Sequence, residues 1–252
     1  MYQRASRQKI KDLVAENFAY ASVLHFFGIK FYEVTEETLG KICRARSLDL
    51  PTVLRSLESV AASQHHEVDY SLRDLPVDML IGYLQKAHRS FIRHKLPYMT
   101  DIISNIEPSR FDEPEVAADL KFVFPLFAED FVHHIYEEEK NSFGYIEKLK
   151  QAVEGQVSAS QLFEQLNSHS IAAMQQEHLE DDDEMQGIRE LTDNYRVEAS
   201  TGLYTRVVYL ELQAFEKDLM VHSGIENDIL LPRAAELEAQ AIELLRQKAL
   251  LN

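Results

Sequence analysis

Four histidines recur along this 252-residue chain at nearly even intervals: His88, His134, His178 and His222, spaced by 46, 44 and 44 residues. Two of them open the same phrase. Phe127-x2-Asp130-Phe131-x2-His134-x3-Glu138-x4-Phe143 returns 88 residues later as Phe215-x2-Asp218-Leu219-x2-His222-x3-Glu226-x4-Leu231. On an α-helix, His and Glu at i, i+4 share one face a turn apart, so both can reach a single metal centre.

All four histidines fall on apolar faces. His134 continues a stripe of Phe127, Phe131 and Glu138, and His222 one of Phe215, Leu219 and Glu226. His88 sits with Ile81, Leu84 and Phe91, and His178 with Ile171, Met174, Met185 and Ile188. An ionisable residue on a core stripe is costly unless it is paired or metal-bound. One such histidine would be read as a hydrogen-bonded core residue. Four in register, two followed by a carboxylate, point to a metal site. His133 shares its face with Glu129, Glu137 and Lys140 and is expected on the solvated side.

Four imidazoles and two carboxylates are too many donors for one tetrahedral zinc. They suit two octahedral ions bridged by carboxylates and an oxo or hydroxo group, which ranks iron first, manganese second and zinc third. Ferritin-like di-iron bundles use four Glu and two His in Glu-x-x-His pairs, so the balance here is reversed. Without sulfur ligands, a cysteine-ligated iron–sulfur cluster is excluded from this domain. Asp182, four residues after His178, reads as a surface residue or a further ligand. Glu177 and Asp130 flank the stripes and are candidate proton relays.

These residues need elements to position them. An interval of about 44 residues fits a helix plus its loop, and an up-and-down bundle brings each helix past the same height once per interval. The periodicity predicts long helices at 76–106, 114–154, 168–196 and 202–248, with Pro97 and Pro125 as kinks or local breaks. Turns are expected near Glu107-Pro108-Ser109-Arg110, Gly155-Gln156-Val157-Ser158 and Glu198-Ala199-Ser200-Thr201-Gly202. Residues 8–62 read as three short helices, the third opened by Asp49-Leu50-Pro51. Periodicity fades over 62–71, which separates a small N-terminal helical domain (1–70) from a four-helix bundle (71–252). The fold class is all-α.

Composition agrees. Eight Gly and seven Pro in 252 residues favour helix throughout. One cysteine, Cys43, rules out an internal disulfide framework and suits a reducing cytosol. No signal peptide and no run of about 18 apolar residues is seen, so a cytoplasmic protein without a membrane span is expected. The net charge of −16, with no segregated basic patch, argues against nucleic acid as a partner.

The segment Asp218-Leu219-Met220-Val221-His222-Ser223-Gly224-Ile225-Glu226-Asn227-Asp228-Ile229-Leu230-Leu231-Pro232-Arg233-Ala234 closely resembles the last-helix motif of the RIC (repair of iron centres) family. These are iron–sulfur cluster repair di-iron proteins with a hemerythrin-like bundle. His134-Ile135-Tyr136-Glu137-Glu138-Glu139 is similar to the family's second-helix motif and Glu177-His178 to its third. The resemblance implies His134, Glu138, His178, His222 and Glu226 as di-iron ligands, with Glu138 and Glu226 bridging, and acidic residues near the site at Glu177 and Asp130. It runs through most of the chain, including Val23–Phe31 and Leu50–Leu54.

Two departures stand out. The family's adjacent Cys-Cys is replaced by Tyr32-Glu33, so thiol chemistry cannot occur there. The first-helix histidine commonly lies seven residues before Leu-Pro, whereas His88 lies eight before Leu96-Pro97, and Arg89 fills the usual slot. A local bulge would restore His88 as a ligand. The function implied is protection or repair of iron–sulfur clusters under nitrosative or oxidative stress, by iron donation or by NO or O2 chemistry at the di-iron centre. Partners would be damaged iron–sulfur proteins or those diatomic gases, and a homodimer is left open. Loss of the paired cysteines keeps a second reading in view, a non-catalytic hemerythrin-like sensor or store of O2 or NO.

Overall fold

The computed structural model describes residues 5–62, 67–181 and 183–250, without the side chains of 61, 62, 177–181 and 249. Every named element among them is helical, with an isolated bridge between Lys9 and Thr38. The expected all-α class is what the chain forms. No helix of the described residues is long and apolar enough to cross a membrane.

Residues 8–62 form four short helices rather than three: α1 (Ile10–Glu16), α2 (Tyr20–Phe26), α3 (Leu39–Ala45) and α4 (Leu50–Ala62). The extra break falls at Asn17, whose side-chain oxygen accepts from the Ala19 N–H at 3.1 Å and offers the backbone a turn in place of a helix. α4 starts as expected, with Asp49 accepting from the Thr52 N–H at 3.1 Å and Pro51 just inside the helix.

The long helices follow, and three of them carry a π-turn. The first is α5 (Val77–Ser90), a π-turn (Phe91–Lys95) and α6 (Leu96–Ser104). The second is α7 (Pro114–Glu138), a π-turn (Glu139–Phe143) and α8 (Gly144–Val153). The last is α12 (Leu203–Ile225), a π-turn (Glu226–Leu230) and α13 (Leu231–Leu250). Pro97 and Pro232 each stand second in the α-helix that follows a π-turn, where the missing N–H costs least. α7 continues through Pro125 without a break.

The third predicted helix is divided. α10 (Ile171–Asp181) and α11 (Gln186–Leu191) replace the expected 168–196, and an additional α9 (Ala159–Ser168) precedes them. α9 begins with a capping box in which Ser158 Oγ accepts from the Gln161 N–H and Gln161 Oε1 accepts from the Ser158 N–H.

Contacts divide the chain into two compact units. One comprises Met1–His66, Lys95–Pro125 and Gly187–Lys217, the other Glu67–His94, Leu126–Gln186 and Asp218–Asn252. In the first, Ile10, Leu13, Leu24, Ile29, Leu39 and Val53 are buried, and Tyr98 donates to the buried Glu211 at 3.2 Å. Tyr32, which stands at the resembled Cys-Cys position, donates to Asp101 at 3.4 Å, and its carbonyl accepts from Arg110 at 2.8 Å. Cys43 is buried here as a free thiol, and burial pushes its pKa up. The second unit is built on Leu80, Ile81, Leu84, Phe143, Ile146, Leu149, Ile225, Ile229 and Leu230. Gly224 lies against this core, and a Cβ there would come within 2.9 Å of Val68, so close packing accounts for the glycine.

Candidate metal centre

His88 ends the buried stripe of α5, after Val77, Leu80, Ile81 and Leu84. Its side chain is 1% exposed. The π-turn at Phe91–Lys95 supplies the bulge between His88 and Leu96 that the one-residue offset calls for. Glu138 closes α7 at the edge of its π-turn, and Glu226 opens the π-turn after α12. π-turns are rare and concentrate at functional sites. Here one lies beside each of three buried polar residues.

His88, Glu138, His222 and Glu226 each offer a ligand atom within 4.8 Å of the others. His88 Nε2 faces His222 Nε2 at 2.8 Å and Glu138 Oε2 at 3.3 Å, and His222 Nε2 lies 2.9 Å from Glu226 Oε1. His88 Nδ1 meets Glu139 Oε1 at 2.9 Å. Phe143 stacks on the His88 ring at 5.6 Å, and Phe91 meets the His222 ring edge-on at 5.7 Å.

The electrostatics favour a cation. Burial raises the Glu138 pKa, and the neighbouring Glu226 charge raises it further. Burial works against a charged His88, yet hydrogen bonding and charge from Glu138, with Glu139 and Glu226, outweigh it, and the net shift is upward. Two buried carboxylates turned toward one point repel each other unless positive charge, carried by a proton or a metal ion, lies among them. The donors are nitrogen and oxygen without sulfur, a set that fits iron, manganese or zinc.

His134 is not among these four. Its side chain is 45% exposed, its Nε2 lies 3.7 Å from Glu184 Oε1, and its ring stacks on Phe131 at 6.3 Å. The physical reason is local: named helices stop at Asp181 and resume at Gln186, so His134 meets a turn where a continuous helix was expected. His133 and Asp130 are exposed. The side chains of Glu177 and His178, and the whole of Asp182, lie outside the described residues, although Ile171, Met174, Met185 and Ile188 are buried. Sequence reasoning assigned nothing to Glu139. In Glu137-Glu138-Glu139 it looks like one more surface acid, yet it stands at the start of the π-turn with its carboxylate on His88.

The fold and site together define a helical protein with a buried His/Glu group able to hold a metal ion. The chain is similar to the iron-sulfur cluster repair protein YtfE of Musicola paradisiaca (strain Ech703), at 26% identity over 213 residues, 84% of this chain and 89% of that one. It is also similar to the protein of that name from Yersinia pseudotuberculosis serotype O:1b (strain IP 31758), at 24% identity over 199 residues, 79% of this chain and 83% of the relative. No family model matches.

Proposed function

We propose that this chain is a RIC-type protein that protects or repairs iron–sulfur clusters in the cytoplasm, and that it uses two iron ions held by histidine and glutamate. The observation that carries the reading is the buried convergence of His88, Glu138, His222 and Glu226 within 4.8 Å. The likeness to iron-sulfur cluster repair proteins supplies the biological direction. In this reading those four residues, joined by His134 and His178, would hold the pair. Bound iron would supply a reversible Fe(II)/Fe(III) couple or a labile ion for a damaged cluster. The protein's part is to keep the donors dry and fixed, with Phe91, Phe131 and Phe143 around them.

The test has two arms. Protein expressed with ample iron should hold about two iron ions per chain, two being the number that six His/Glu donors suit. The reduced protein should also restore activity to an oxidatively damaged [4Fe–4S] enzyme. A single tightly held zinc would overturn the di-iron reading. Iron without rescue, but with reversible O2 or NO binding, would favour a sensor or store. That second reading draws support from Tyr32, whose bonds to Asp101 and Arg110 give the resembled cysteine position a structural role.

A further inference from the structure

One imidazole is held from three directions by one π-turn and the residue before it. Glu138 Oε2 stands 3.3 Å from His88 Nε2, Glu139 Oε1 stands 2.9 Å from His88 Nδ1, and Phe143 stacks on the ring face with the planes 3° apart. Successive residues of a regular α-helix diverge by about 100°, so adjacent glutamates do not ordinarily reach opposite nitrogens of one ring. The π-turn begins at Glu139 and ends at Phe143, so the two carboxylates come from the junction of α7 with that turn.

We propose that Glu139 is a positioning residue: it accepts a hydrogen bond from His88 Nδ1–H, fixes the proton on that nitrogen, and so keeps the Nε2 lone pair aimed into the metal site. The inference rests on the metal-centre reading above. A neutral imidazole carries one proton. Both ring nitrogens of His88 face a carboxylate, Nδ1 at 2.9 Å from Glu139 and Nε2 at 3.3 Å from Glu138, and the shorter contact favours the proton on Nδ1. A carboxylate behind a ligating histidine also raises the basicity of the ligating nitrogen and fixes the ring's rotation. Glu139 does this from the rim, with its side chain 30% exposed while that of His88 is 1% exposed. Glu139 therefore acts on a bound ion only through His88.

The test uses the full chain, with Co(II) as the metal probe. In the metal-free protein, nitrogen-15 spectra should place a proton on His88 Nδ1. In Glu139→Ala that proton should be shared between the ring nitrogens or move to Nε2, and the Co(II) dissociation constant should rise about 10- to 100-fold, as for other residues behind a metal ligand. Glu139→Gln keeps the shape and a neutral acceptor, so it should fall between the two, because charge-assisted bonds are about twice as strong as neutral ones. It also serves if the alanine variant does not fold. Wild-type proton placement and Co(II) affinity within about twofold in the folded variants would overturn the proposal. If the wild-type chain takes up no Co(II), the metal-centre reading fails on its own account. The Nδ1 proton then still decides whether Glu139 orients His88.

Discussion

At the scale of single residues, the contrast between two adjacent histidines is the sharpest check on the ligand set. His134 and His133 are both exposed, but His134 stacks on Phe131 and precedes Glu138 by one turn. His134→Ala is expected to lower iron content by about half or more, as removal of one ligand from a shared pair would. His133→Ala should leave it unchanged. Elemental analysis of both variants decides it, and equal loss would show that the facial assignment is wrong. A separate residue, Glu36, reports on the first unit. Hydrogen bonds from Lys11 and then Lys9 hold its carboxyl down at about 2, against an ordinary 4.5. A depressed carboxylate pKa stabilises the folded chain above the ordinary value, and the contribution fades as pH falls through the folded-state value. Titration of the Glu36 carboxyl carbon by NMR should therefore show a midpoint near 2. A midpoint near 4.5 would mean that the two lysines do not hold it.

At the scale of elements, α9 depends on its cap. It buries Leu162 in the second unit's core and leaves Phe163 60% exposed. Ser158→Ala removes half of the capping box and should cost about 1 kcal/mol of local stability. Amide hydrogen exchange within 159–168 should speed up about fivefold while exchange in α12 stays constant; unchanged exchange in α9 would refute this. The helix was readable in principle, because Ser158-x-x-Gln161 before Leu162 is a start signal, but the turn residues beside it drew the eye. The long helices were legible because their apolar stripes persist for many turns, from Val77 to His88 and from Phe215 to Ile229. The π-turns were not, because hydrogen-bond register leaves no compositional trace. The one hint was arithmetic: His88 stands one place too far from Leu96.

At the scale of the whole molecule, metal and stability are linked. Any ion that binds the folded chain and not the unfolded one adds RT ln(1 + [L]/Kd), about 2.7 kcal/mol at a hundredfold excess over Kd. For a chain of this size that corresponds to a rise of roughly 5–11 °C in melting temperature. Scanning calorimetry of the chelated and the iron-loaded protein should show this gap, and an equal rise with calcium, which prefers all-oxygen ligands, would argue against an imidazole site. The π-turns carry a last consequence, one for the gene that encodes them. A π-turn closes its hydrogen-bonded loop with one residue more than an α-turn does. The gain or loss of a single codon at such a place is taken up within one turn, and the helices on either side keep the faces they had. The π-turn between His88 and Leu96 is one such place. With one of these turns beside each of His88, Glu138 and Glu226, a single-codon change there would leave the four donors converging on one point.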